Sequence, residues 1–118
     1  MVAGSSASVA TPLVAYVPDL MDRSRVEIAS REAGRSVDFL SHPEELAAAV
    51  EGGATFVLID LAHAGVLDVL PRLGRAHTVG FASHVDKALL AAAKEAGCDE
   101  VLPRSAVFRR LARTGDES

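Results

Sequence analysis

The stretch Thr55-Phe56-Val57-Leu58-Ile59-Asp60-Leu61 decides how this chain folds. From Thr55 to Ile59 the residues are apolar or β-branched, without the polar alternation of a half-wet strand. Such a run suits a strand buried on both faces of a parallel sheet. Asp60 then stands at the carboxyl end of that strand. In open α/β sheets, ligands bind in the crevice beyond the carboxyl ends of the strands, so this carboxylate lies where chemistry is expected.

Outward from that strand, apolar runs and helical patterns alternate. Leu13 to Val17 reads as a first strand, followed by a helix from Met21 to Ala33 that Gly34 terminates. Val37 to Leu40 gives a second strand. Ser41-His42-Pro43-Glu44 offers a capping box for a helix through Val50, stopped by Gly52-Gly53. After the Asp60 strand, Val66, Leu67, Val69, Leu70 and Leu73 form one side of a short amphipathic helix closed by Gly74. His77 to Phe81 gives the fourth strand. Ser83-His84-Val85-Asp86 reads as a second capping box, opening an alanine-rich helix through Ala96, with a left-handed C-cap expected at Gly97. Val101-Leu102 is the fifth strand, and a brief closing helix spans Ser105 to Arg113. Strands joined through helices by short connections imply βαβ units and a sheet covered on both faces. The expected fold is α/β, a three-layer, doubly wound, five-stranded parallel sheet of (βα)5 type with a short last helix. The domain is expected over residues 12–113, between a flexible tail at 1–11 and a frayed one at 114–118.

With 118 residues, the chain has room for one domain and one sizeable core. Aromatic residues are only 4%, so that core must be built from Val, Leu, Ile and Ala. A formal net charge of -4 argues against nucleic acid as a partner. The cluster Arg104, Arg109, Arg110 and Arg113 is too small for a DNA footprint and suits an acidic partner instead. The single Cys98 excludes an internal disulfide framework and fits a reduced, cytoplasmic setting as a packing residue. Residues 1–11 lack a basic segment followed by a long apolar one, so neither a signal peptide nor a membrane anchor is expected. No phosphate-cradling glycine motif and no Gly-x-Ser-x-Gly is present, which removes the commonest nucleotide and hydrolase readings.

The βα count, the Asp60 strand and the segment Ala92-Ala93-Lys94-Glu95-Ala96-Gly97-Cys98-Asp99-Glu100-Val101-Leu102-Pro103-Arg104 together resemble the receiver domain of two-component response regulators, a CheY-like, flavodoxin-like family. The resemblance covers Pro12 to Arg113. It implies an aspartate that accepts a phosphoryl group at the end of the third strand, and an acidic pair after the first strand that holds magnesium. It further implies a hydroxyl residue after the fourth strand that senses the phosphate, and a lysine after the fifth. Cations there offset charge on the phosphate oxygens while a positioned nucleophile attacks in line.

Asp60 matches the acceptor position. The acidic pair falls on Val17 and Pro18, leaving Asp19, one position late, as the candidate metal ligand. The sensing hydroxyl falls on Ala82, with Ser83 one position late, and Arg104 stands where the lysine belongs. An arginine keeps the charge, but its planar fork is not a point-charge ammonium. Each candidate has a plainer reading. Asp19 is an adequate N-cap for the first helix and Ser83 a cap for the fourth. Asp60 can accept hydrogen bonds from the amides of its own loop, or pair with Arg104 and hold the crevice shut. Among the histidines His42, His63, His77 and His84, a constellation of Asp60, His63 and His84 is conceivable, although no ligand spacing of tetrahedral type is visible.

The expectation from these residues is a stand-alone atypical receiver, a pseudo-receiver that acts by protein–protein interaction without standard aspartate phosphorylation, without enzymatic activity and without a resident cofactor. The resemblance places its interaction face between the fourth helix, fifth strand and fifth helix, where Lys87, Lys94, Glu95, Arg109 and Arg110 supply charge for a signalling partner, a kinase among them, or for a homodimer. One competing expectation is a genuine phospho-acceptor using Asp60, Asp19 and Arg104 with magnesium. Another is a small-ligand binder of flavodoxin type, against which the single Tyr16 and four Phe argue.

Overall fold

Strand β3 (Phe56–Asp60) is buried along its whole length and occupies the middle of a five-stranded sheet. The computed structural model describes residues 11–113, so the tails expected at 1–11 and 114–118 fall, apart from Thr11, outside the described residues. The sheet order is β2-β1-β3-β4-β5, with β1 Leu13–Tyr16, β2 Val37–Phe39, β4 His77–Ala82 and β5 Glu100–Pro103, and every neighbouring pair is parallel. Successive side chains of β3 face opposite ways. Phe56 and Leu58 join Leu13, Ala15, Phe81, Val107 and Leu111 in the core on one side, whereas Val57 and Ile59 join Leu46, Val50 and Val66 on the other. Helices α1 (Leu20–Glu32) and α5 (Arg104–Leu111) cover the first side, and α2 (Glu45–Glu51), α3 (Val66–Val69) and α4 (Lys87–Glu95) cover the second. The three-layer (βα)5 fold expected from the sequence is the fold observed.

Local departures have physical causes. The helix expected from Val66 to Leu73 is a single α-turn, Val66–Val69, continued by a 3₁₀ turn, Leu70–Leu73. Pro71 has no amide to donate, which ends the α-helical pattern there. Neither capping box forms as expected. The side chain of Glu45, not Glu44, reaches back to the amides of Ser41 and His42, both at 3.0 Å. Asp86 rather than Ser83 caps α4, accepting from the Leu89 amide at 3.4 Å, while the Ser83 hydroxyl accepts from the Val85 amide within its own turn. Gly97 does adopt the expected left-handed backbone, with φ +106°, and the chain closes there through Gly97 N to Lys94 O and Cys98 N to Ala93 O.

Two arginines are buried at the amino end of the sheet. Arg35 donates through Nη1 to the Leu111 carbonyl at 2.6 Å and through Nε to the Thr11 carbonyl at 3.1 Å, tying the end of the short α5 to the start of β1. Arg110, expected on the surface, is instead only 5% exposed. It grips Glu100 with two bonds of 2.8 and 2.7 Å and lies over the Phe56 ring. Together these cations pin the last helix, whose few core residues give it little hold of its own.

Candidate functional site: the Asp60 crevice

Asp60 has the same parity as Phe56 and Leu58, so it faces the α1/α5 side of the sheet and pairs in register with Phe81. It is 2% exposed. One carboxylate oxygen, Oδ1, accepts the Ala62 amide at 3.2 Å, the loop-amide role foreseen as its plain reading. The other, Oδ2, lies 3.0 Å from His63 Nε2. His63 is held in turn edge-on against the Tyr16 ring, with centroids 5.8 Å apart. Burial first, then the negative charge of Asp60 and of Glu44, push the Tyr16 hydroxyl above its ordinary pKa.

Arg104 opens α5 and leans over the Phe81 ring, its guanidinium carbon 5.4 Å from the ring centre. Its Nε lies 3.3 Å from Asp22 Oδ2, and Nη2 lies 4.0 Å from Asp60 Oδ2. The expected Arg104–Asp60 pair is therefore the longer of two contacts, and the nearer partner is Asp22. This buried carboxylate, 7% exposed, is absent from the sequence-based candidates. A signal for it exists in the letters: Asp22, Val26, Ala29 and Ala33 recur at i, i+4, i+7 and i+11, and all four are buried.

The remaining candidates are placed as follows. Asp19 is exposed and spends its Oδ1 on the Asp22 amide at 2.9 Å, capping α1. Val17, where an acidic ligand would belong, is fully buried, and its carbonyl accepts from Arg23 Nε at 2.6 Å. Among the described residues no group of three His, Cys, Asp or Glu side chains is arranged to hold a metal ion, so Asp60, His63 and His84 are not gathered as a site. Ser83 is exposed beside Arg104. Lys87, Lys94 and Arg109 are all exposed, on the α4–β5–α5 side, whereas Arg110 belongs to the interior. Cys98 is buried with Sγ 3.2 Å from the Glu100 carbonyl, and burial pushes its thiol up, in keeping with packing.

No protein-family model matches the sequence, and no curated protein is similar to it. Solved structures do match. A candidate response regulator from Chloroflexus aurantiacus J-10-fl aligns at TM-score 0.72 and 19% identity over 88% of this chain and 99% of that one. A CheY-like protein from Pseudomonas aeruginosa PAO1 aligns at TM-score 0.67 and 18% identity, over 86% and 93% of the two chains. The receiver domain of a Saccharomyces cerevisiae response regulator, crystallised with its histidine phosphotransfer signalling protein, aligns at TM-score 0.72 and 11% identity, over 91% and 90%. The fold is that of a response-regulator receiver domain. Within the receiver fold, Asp60 ends β3, Ser83 and Arg104 follow β4 and β5, and the loop after β1 carries Val17 and Pro18.

Proposed function

We propose that this chain is an atypical receiver-like signalling module that binds a protein partner, without accepting a phosphoryl group on Asp60 and without catalytic turnover. The observation that carries the reading is that both oxygens of Asp60 are engaged, Oδ1 by the Ala62 amide and Oδ2 by His63, with the Arg104 guanidinium set between Asp60 and Asp22. In-line attack on phosphorus needs an oxygen free to approach it, and a metal needs carboxylates that are not already paired. Val17 and Pro18 supply none. The residues after β1 therefore do not fit a magnesium ion. The guanidinium of Arg104 supplies fixed positive charge in the crevice instead.

The partner surface is the α4–β5–α5 face. There β5 forms the edge of the sheet with all four residues half-buried, and Lys87, Lys94 and Arg109 stand around it. An edge strand flanked by cations suits an acidic protein surface. Among the described residues no helix is long and apolar enough to cross a membrane, and the scattered basic residues do not suit nucleic acid. A cytoplasmic signalling protein is the partner class that fits this reading.

Intact-mass spectrometry after incubation with acetyl phosphate and magnesium tests it, beside an Asp60→Asn control. No change in mass is expected in either protein. A single-phosphate gain in the native chain that the variant lacks would make Asp60 a working acceptor and overturn the proposal.

A further inference from the structure

Helix α1 turns large apolar side chains toward solvent. Of the four large hydrophobic residues exposed among the described residues, Leu20, Met21 and Ile28 stand on α1, and Val85 alone lies elsewhere. Ile28 also borders a groove of about 360 Å³ between α1 and α5, apart from the Asp60 crevice. The less exposed lining of that groove is apolar: Ala29 on α1, and Phe108 and Ala112 on α5. Charges stand exposed on its rim, Arg25 and Glu32 from α1 and Arg109 from α5. Arg25 lies over the Phe108 ring, its guanidinium carbon 5.8 Å from the ring centre, and among the described residues neither Arg25 nor Glu32 has an ion-pair partner. A single exposed apolar side chain is ordinary, but one set beside an apolar groove and between two unpaired, opposite charges has the makings of an interface.

The order of these residues along α1 is self-complementary. Met21, Arg25, Ile28 and Glu32 recur at i, i+4, i+7 and i+11 on one helix face, and Arg25 and Glu32 lie equally far before and after the midpoint between Ile28 and Ala29. We propose that this groove is a contact between two copies of the chain, with α1 packed antiparallel on α1 across a twofold axis at that midpoint. Arg25 of each copy then faces Glu32 of the other, and Ile28 of each meets Ala29 of the other, where the small side chain leaves room. A uniformly acidic or uniformly basic partner would satisfy one rim residue and oppose the other, whereas a second copy satisfies both. Helices of 13 and 8 residues from each copy give an interface at the lower end of specific sizes, about 1,200 Å² in total, so the dimer exchanges with the monomer. The proposal goes beyond the partner-binding reading and is independent of it, since it uses α1 and the α1 side of α5 and leaves Lys87 and Lys94 on α4 untouched.

The test is sedimentation of the full chain at low salt, from micromolar to millimolar concentration, where the weight-average mass is expected to rise toward that of a dimer. Arg25→Glu and Glu32→Arg should each weaken association by about tenfold, because each sets like charges opposite one another on both sides of the twofold axis. An equimolar mixture of the two variants, and the double variant, should recover it, because unlike charges then meet again. Ile28→Asp should abolish it. All three residues are exposed, so urea midpoints close to the native one are expected, and the mixture remains decisive if Ile28→Asp fails to fold. A monomer at every concentration overturns the inference and leaves the groove to a different protein. Association that Ile28→Asp leaves unchanged also overturns it, by placing the contact on another face, and so does a mixture that associates no better than its two components. A mass gain with acetyl phosphate would remove the earlier proposal and leave this one standing on its own test.

Discussion

Asp60 is the residue on which two roles compete, and the competition is measurable. As the acceptor of the Ala62 amide it organises the loop after β3; as a charge it faces His63 and Arg104. Asp60→Asn keeps an oxygen for the amide, whereas Asp60→Ala leaves a buried donor unmet, which costs about 1–3 kcal/mol. Urea unfolding is expected to place the Ala variant lower than Asn by that margin. Equal losses in the two would mean that the charge, not the loop bond, holds the site together. A second residue-scale prediction concerns Gly80 in β4. A Cβ there would sit 2.8 Å from Leu61 Cδ2 and 3.0 Å from Cys98 Sγ, both buried. Gly80→Ala should lower stability by about 1–3 kcal/mol through overpacking, with an unchanged denaturant slope. At this scale the sequence was legible for Asp60, which ends an unmistakable apolar run, and opaque for Asp22 and Arg110. Charged letters on helices read as solvated by default; what buries Asp22 is Arg104, 82 residues away, and what buries Arg110 is Glu100 and the Phe56 ring.

Among the elements, α5 is the one whose hold on the fold is least evident from its own residues. Arg35 clamps its last carbonyl to the start of β1, so Arg35→Ala should cost about 2–4 kcal/mol and should raise hydrogen exchange first in α5. Uniform destabilisation with no preference for α5 would contradict that role. The second fastening is Glu100. Its carboxyl is pulled from 4.5 down to about 2, first by the two bonds from Arg110 and further by His77 at 2.6 Å. Because the folded pKa is depressed, the native state binds fewer protons than the unfolded chain between those values. The stabilisation is therefore complete above about pH 5 and is lost as pH falls toward 2, amounting to about 2 kcal/mol at most once solvent screening of the half-buried carboxylate is allowed for. Denaturation midpoints measured from pH 6 to pH 2 should fall less steeply in Glu100→Gln. Strands were legible because burial on both faces leaves continuous apolar runs, as in Val79 to Phe81 and Phe56 to Ile59. Helix starts were not. Ser41 and Ser83 fit a capping pattern, yet the nearby carboxylates Glu45 and Asp86 took the amides, and sequence spacing alone does not rank such competing acceptors.

For the molecule as a whole, the question is whether the receiver fold still has two states to choose between. A ligand shifts a conformational equilibrium only by its differential affinity for the two states, and moving a population from about 1:99 to 99:1 takes about 10⁴-fold preference. In this chain Asp60 is engaged on both oxygens, by the Ala62 amide and by His63, and Arg104 bridges toward Asp22; on the proposed reading these contacts fill the place where that preference would act. Those contacts join α1, β3 and α5 through Asp22, Asp60 and Arg104. Amide spectra of the full chain are therefore expected to show no coherent shift across α4, β5 and α5 on adding magnesium with beryllium fluoride, a mimic of a phosphoryl group on a carboxylate. Arg104→Ala removes the bridge, and the same reagent added to that variant reports whether the bridge alone closes the site. A coherent shift over Lys87 to Arg109 in the native protein would mean that His63 yields its oxygen readily, and the crevice would then be a working switch with unusual neighbours.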